Sequence, residues 1–111
     1  MICSLFFSSL LFCSTPTPPP YIEVCCRITC YEPTGYRTAS MKVPKNGMVA
    51  VSNRAIPFGT KIEIDGKVYV VEDRTAKWVD KKFKYSTIDI FQEEGCDNFE
   101  GTKNKLVKIY K

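Results

Sequence analysis

The sequence predicts a small all-β domain, and three observations support that prediction. Six short runs are rich in β-branched and aromatic residues, which favour strands. Turn signals made of Gly, Pro, Asn and Asp lie between these runs. The chain has 111 residues, enough for one domain and too few for two. Six strands in about 90 residues indicate a small closed barrel or a sandwich, because closure removes exposed strand edges.

The first 20 residues are predicted to precede this domain. Residues 1–13 form an uncharged apolar run with the length of a signal-peptide core, too short to span a bilayer. No Lys or Arg stands in front of the run, so export and a disordered leader both remain open. Residues 14–20 are Pro-rich and predict an extended linker. The folded domain is therefore expected over residues 21–111.

The predicted strands follow one another along the chain. The first two are IEVCCRITCY and GMVAVS. TKIEI and KVYVVED flank Asp65-Gly66, a dipeptide that suits the positive φ angles of a two-residue hairpin. STIDIF and KLVKIY complete the set, and a short helix fits weakly around residues 92–100.

Composition limits the chemistry. The net charge is +4, which favours a polyanionic partner without choosing among nucleic acid, an anionic lipid surface and an acidic wall polymer. Histidine is absent, so acid/base catalysis near pH 7 has to use a carboxyl, Lys, Tyr or Cys.

The cysteines leave several possibilities open. Four of the six lie in the predicted domain: Cys25, Cys26, Cys30 and Cys96. In an exported chain they can pair in three ways. Cys25 and Cys26 point to opposite faces of a strand, so only one of them can face Cys96. Free buried thiols are the simpler interpretation, and the spacing disfavours zinc.

Four pieces of the sequence, taken in order, resemble the 3D (three-aspartate) domain. They are TCYEPTGYRTAS, GMVAVSNRAIPFGTKIEI, YVVEDR and STIDIF. This domain belongs to the double-psi β-barrel superfamily, shared with lytic transglycosylase A and cell-wall stationary-phase proteins. The likeness is closest to the short form of phage and Gram-positive proteins. It implies a small six-stranded double-psi β-barrel.

The resemblance also implies a reaction and its residues. The family's second and third aspartates fall on Asp73 and Asp89, whereas its first falls on Ser52; Met41 stands where the family has glycine. The implied activity is cleavage of the bond between N-acetylmuramic acid and N-acetylglucosamine in peptidoglycan, leaving a 1,6-anhydro end without metal or cofactor. One carboxyl suffices, because the attacking hydroxyl belongs to the substrate. Asp89 is then the expected acid/base and Asp73 its supporting carboxyl.

The residues alone leave the role of the carboxylates open. Alternation in TIDIF puts Ile88 and Ile90 on one face and Asp89 on the other, beside Phe91. An open face would make Asp89 an ordinary surface residue, whereas a groove would raise its pKa. Asp73 ends a strand, where it serves either as the second carboxyl or as half of a weak ion pair.

Further residues are candidates for substrate binding. They are Ser52, Thr29, Tyr31, Arg74 and Trp78. Tyr31 shares a strand face with Thr29 and suits stacking on a sugar ring, or equally a place in the core. Residues 77–85 mix lysines with aromatics, as expected of a lid over an anionic glycan or of a solvated loop.

These observations predict a lytic transglycosylase-like protein. Its expected partner is peptidoglycan, with no nucleic acid, no stable membrane span and a monomeric state. Its expected location is the cell wall or periplasm, or the host wall if a phage encodes it. A non-catalytic glycan-binding barrel is the main alternative, and a basic nucleic-acid-binding barrel is less favoured.

Overall fold

A computed structural model of the protein describes residues 20–111. The strands are β1 (Tyr21–Tyr31), β2 (Met48–Val51), β3 (Lys61–Ile64), β4 (Lys67–Arg74), β5 (Thr87–Phe91) and β6 (Lys103–Tyr110), and helix α1 (Lys77–Lys82) joins β4 to β5. They form a closed barrel in the order β1-β5-β2-β4-β3-β6, with parallel β1–β5 and β2–β4 pairs. The predicted small six-stranded all-β barrel is therefore confirmed.

The predicted leader, residues 1–13, lies outside the described residues, as does the predicted linker up to residue 19. The N–H of Lys111 donates to the carbonyl of Pro20 (2.9 Å), just before β1 begins. Within residues 20–111 no helix is long and apolar enough to cross a membrane.

Aliphatic side chains fill the barrel. Val49, Ile62, Val71 and Val107 have no exposed surface, and burial of this kind stabilises a side chain by about 1.5–3 kcal/mol. Ile88 and Ile90 belong to the same cluster, as alternation predicted. On the other face of β5, Thr87 and Phe91 are also buried, although they lie outside that cluster. The outer face of β5 is therefore covered rather than open to water.

Two turns show how backbone conformation follows residue type. Asp65 and Gly66 have φ of 52° and 79° and join β3 to β4, as expected for the predicted hairpin. Met41 also has a positive φ, 71°, in a region that costs a residue with a side chain about 1–2 kcal/mol. This is the position at which the resemblance places a glycine.

The helix lies elsewhere than the pattern indicated. Residues 77–82, expected to be loop, form α1, and residues 92–100 form turns rather than a helix. The buried carboxylate of Asp80 anchors α1, because it accepts hydrogen bonds from Thr75 and from Arg54 (2.8 Å). Gly95, with a φ of 92°, interrupts the second segment, which a disulfide also ties to β1.

That disulfide joins Cys30 of β1 to Cys96, with Cα atoms 6.0 Å apart. The expectation that Cys30 and Cys96 remain free thiols is therefore wrong. Cys25 is exposed and free and Cys26 is buried and free, on opposite faces as strand geometry requires. Burial raises the pKa of the Cys26 thiol to about 11, so Cys26 behaves as a small hydrophobe.

Candidate functional site

The two aspartates lie in one row that runs across four strands. Thr29 of β1 is opposite Asp89 of β5, Asp89 is opposite Ala50 of β2, and Ala50 is opposite Asp73 of β4. Directly opposed residues point to the same face of a sheet, so both carboxylates lie outside the barrel core and on the same side. One strand separates them, and strands lie about 4.8 Å apart, which places their backbones about 10 Å apart.

A β-bulge brings Asp73 into this row. Val49 pairs with Val71 but Ala50 pairs with Asp73, so Glu72 is an extra residue in β4. Without the bulge, period-two alternation would put Asp73 on the same face as Val71, inside the core. Glu72 is buried and forms an ion pair with Lys42 (2.6 Å). The bulge therefore directs the Asp73 carboxylate to the face that carries Asp89.

Asp89 is partly buried, and one of its oxygens is held by the protein. The hydroxyl of Thr29 donates to Asp89 Oδ1 at 2.7 Å. Burial raises the pKa of Asp89; the Thr29 hydrogen bond and the positive charge of Arg27 oppose that rise, and the charge of Asp73 adds to it. Within residues 20–111, Oδ2 of Asp89 has no hydrogen-bond partner. A half-buried carboxyl with a raised pKa and a free oxygen can donate and accept a proton.

Asp73, in contrast, is fully engaged by the protein. Its Oδ1 accepts hydrogen bonds from the backbone N–H groups of Ala39 (2.8 Å) and Arg74 (2.9 Å). Its Oδ2 accepts one from the hydroxyl of Tyr31 (3.0 Å). Asp73 therefore fixes the 32–47 segment and the Tyr31 ring in place beside Asp89.

Tyr31 donates to Asp73 and lies within the electrostatic influence of both carboxylates. Burial raises the pKa of its hydroxyl, and the negative charges of Asp73 and Asp89 raise it further, so the hydroxyl stays protonated and acts as a donor. Its ring packs edge-on against Phe91, with centroids 5.2 Å apart. The sequence left open whether Tyr31 lies in the core or on the outer face of the barrel. Tyr31 is not part of the core cluster and lies on the outer face.

Three of the predicted binding residues lie apart from this row. The Ser52 hydroxyl is fully buried; it donates to the carbonyl of Thr87 (3.2 Å) and accepts from the N–H of Thr87 (2.9 Å). The Arg74 guanidinium turns away to the carbonyl of Ile56 (2.6 Å). Trp78 lies on α1 with its side chain 66% exposed. Ser52 thus links β2 to β5.

The segment predicted to be a lid reaches the site through Phe83. The Arg27 guanidinium lies 3.6 Å from the centre of the Phe83 ring and donates to the Thr87 hydroxyl (3.3 Å). Burial raises the pKa of Asp89, and the charge of Arg27 opposes that rise. The lysines of this segment remain exposed.

A groove beside the row was missed from the sequence. A cavity of about 490 Å³ lies between the 32–47 segment and β5, lined by Tyr36, Arg37, Val43 and Phe91 among others. Tyr36 is 76% exposed there. The sequence PTGYR could have pointed to this groove, because loops that carry an aromatic residue and an arginine often bind ligands. Nothing in the sequence, however, places this loop next to Phe91.

The donor set of the site does not resemble a metal centre. Among residues 20–111 no three His, Cys, Asp or Glu side chains are grouped so that they could hold an ion. Comparison of the chain with models of known protein families, with curated proteins and with solved structures finds no match.

Proposed function

We propose that the protein cleaves the β-1,4 bond between N-acetylmuramic acid and N-acetylglucosamine in peptidoglycan, with Asp89 as the acid/base. One observation carries the proposal. Asp89 is a partly buried carboxyl with a raised pKa, held through one oxygen and free at the other, with a second carboxylate in the same row.

The reaction needs only one protein carboxyl. Protonated Asp89 donates its proton to the glycosidic oxygen as the bond to the muramoyl C1 breaks, which releases the N-acetylglucosamine hydroxyl. The resulting carboxylate then takes the proton from the muramoyl 6-hydroxyl as that oxygen bonds to C1. Asp89 ends protonated, no water is consumed and the product is a 1,6-anhydro sugar. A substrate held in position makes the attack intramolecular and therefore fast.

Other residues support this chemistry without transferring a proton. Burial raises the pKa of Asp89 and the charge of Asp73 adds to that rise, which favours the acid form of Asp89. Thr29 orients Asp89 through Oδ1, which leaves Oδ2 for the substrate. Tyr36 and Arg37 beside Phe91 offer an aromatic face and a cation to an acidic glycan. We therefore treat Asp73 and Thr29 as positioning residues.

The proposed location is outside the cytoplasm, in the cell wall or periplasm or at the host wall of a phage. The Cys30–Cys96 disulfide supports it, because such bonds persist mainly in oxidising compartments. The proposed partner is the glycan strand, bound by a monomer.

A second candidate function is glycan binding without cleavage. The observation in its favour is Ser52, which stands where the resemblance places the first aspartate and has no exposed surface. A barrel with two carboxylates in place of three would keep the groove and lose turnover.

The test uses purified peptidoglycan and mass spectrometry of the soluble products. Wild type is expected to release anhydro-muropeptides, and Asp89→Asn to lower the release at least about 100-fold, the contribution typical of a general acid. Asp97→Asn, the same change in an exposed turn, is the matched control and should match wild type.

Each other outcome identifies an alternative. Sedimentation of wild type with peptidoglycan without any release would support glycan binding and refute cleavage. Binding to single-stranded nucleic acid that weakens steeply with salt, with none to peptidoglycan, would refute both. Equal release by wild type and Asp89→Asn would remove Asp89 from the reaction.

A further inference from the structure

One end of the barrel holds a second cavity, separate from the aspartates. It has a volume of about 660 Å³, within the range of about 300–1,000 Å³ that is typical of small-molecule pockets. It lies where the β3–β4 hairpin, the 92–101 segment and the start of β6 meet. Ile90 lines it from the inner face of β5, whereas Asp89 points to the outer face. Neither Asp73 nor Asp89 belongs to its wall.

The floor of this cavity is apolar. Ile28, Ile64 and Ile90 of the core reach it, and Phe99 closes one side. Such a floor favours a hydrocarbon or an aromatic body over a hydrated ion.

A tyrosine whose hydroxyl has no hydrogen-bond partner within residues 20–111 lines the same cavity. Tyr69 lines the cavity and is only 8% exposed. Within residues 20–111 its hydroxyl forms no hydrogen bond, so it is available to a ligand. Burial raises the pKa of Tyr69, so the group stays protonated and offers a donor. An acceptor on a bound ligand would satisfy it.

The wall of the cavity carries three lysines and three carboxylates, and two of these lysines are paired with two of the carboxylates. Lys105 is paired with Asp65, and Lys103 with Glu100 (2.8 Å). Glu94, the remaining carboxylate of the wall, accepts a hydrogen bond from Asn46 (3.4 Å).

Lys67 is different from the other two lysines. Its ammonium lies 5.4 Å from the centre of the Tyr69 ring and enters no ion pair with any residue of the described part of the chain. Within the described residues, the cavity therefore presents a lysine without an ion pair beside the Tyr69 ring.

We propose that this cavity binds a small amphipathic carboxylate, with its apolar chain on the isoleucine floor and its carboxylate between Lys67 and the Tyr69 hydroxyl. Such a ligand fills the apolar space, supplies the acceptor that Tyr69 lacks and neutralises Lys67. This site is independent of the proposed glycan cleavage.

The test titrates the full chain with octanoate and follows binding by calorimetry and by the methyl NMR signals of Ile64 and Ile90. Octanoate is expected to shift those signals and to bind more tightly than acetate, which lacks the chain, and than 1-octanol, which lacks the charge. Tyr69→Phe should weaken binding about fivefold, the effect of one hydrogen bond.

Two lysine variants make the test specific and avoid any effect on folding. Lys67 and Lys61 are both exposed at ends of neighbouring strands, but only Lys67 lines the cavity. Lys67→Gln should weaken octanoate binding about fivefold or more, and Lys61→Gln should leave it unchanged. No shift of Ile64 and Ile90 with octanoate, equal weakening by both variants, or equally tight binding of 1-octanol would each overturn the proposal.

Discussion

Removing the Cys30–Cys96 disulfide gives the most direct test of how the barrel end is held together. The bond closes a loop with a sequence separation of 66, for which the chain-entropy relation gives about 4 kcal/mol at 25 °C. The double variant Cys30→Ala with Cys96→Ala should therefore lower the free energy of unfolding by about 2–4 kcal/mol, since measured values tend to fall below the relation. A domain of this size is stable by only about 5–15 kcal/mol, so the loss is large.

The assay is urea unfolding followed by tryptophan fluorescence and circular dichroism, with and without reductant. Wild type should lose the same stability in reductant, whereas the double variant should not respond to it. Cys25→Ala, which removes an exposed free thiol, is the matched control and should leave unfolding unchanged. A loss below about 1 kcal/mol in the double variant, or an oxidised mass that shows no bond between Cys30 and Cys96, would refute the reasoning.

Three further predictions concern single residues. Met41→Gly should raise the free energy of unfolding by about 1 kcal/mol, because φ is positive at position 41. Lys45→Gly, at an exposed position with negative φ, is the control and should lower the free energy of unfolding. Chemical denaturation measures both changes. Asp89→Asn should stabilise the fold at pH 7 but not at pH 3. Because the pKa of Asp89 is raised in the folded state, wild type has its full stability below the ordinary aspartate pKa and loses part of it as the pH rises through the folded pKa. If the free energies of unfolding of wild type and variant differed by the same amount at every pH, the prediction would be contradicted. Ser52→Asp should lower the free energy of unfolding by at least about 2 kcal/mol and should not raise the release of anhydro-muropeptides above that of wild type, because the new carboxylate would be buried against the Thr87 carbonyl. A variant as stable as wild type would show that position 52 tolerates the charge.

The strands were predictable because each carries its own local signal. β-branched runs, alternation and Asp65-Gly66 act within a few residues, and the order of the strands along the chain follows directly from them. Closure followed from a general argument about exposed edges in a chain of this size. The pairing order β1-β5-β2-β4-β3-β6 has no such local signal, because it depends on which strands meet across the core.

The helix and the disulfide were not predictable for the same reason. α1 has few of the usual helix signals, and it is held by Asp80, whose partners Thr75 and Arg54 come from the end of β4 and from the loop after β2. Cys30 and Cys96 are far apart in sequence, and four cysteines allow three pairings until the fold selects one. Contacts between distant segments decided both features.

The candidate site depends both on local sequence patterns and on contacts between distant segments. Alternation correctly placed Asp89 on the face opposite Ile88 and Ile90, but the same rule applied to β4 would place Asp73 inside the barrel, beside Val71. Only the bulge at Glu72 brings Asp73 to the outer face, and no residue type in this part of β4 predicts a bulge.

Nothing in the sequence alone selects Ala50. It is buried between Asp73 and Asp89, which belong to strands that do not pair with each other and meet only through β2. Because the side chain of Ala50 is only a methyl group, it leaves space in the row between the two aspartates. A larger side chain at position 50 would fill the space between them while leaving both aspartates unchanged. The pair of carboxylates is therefore a property of three strands together, and position 50 controls it without any chemistry of its own.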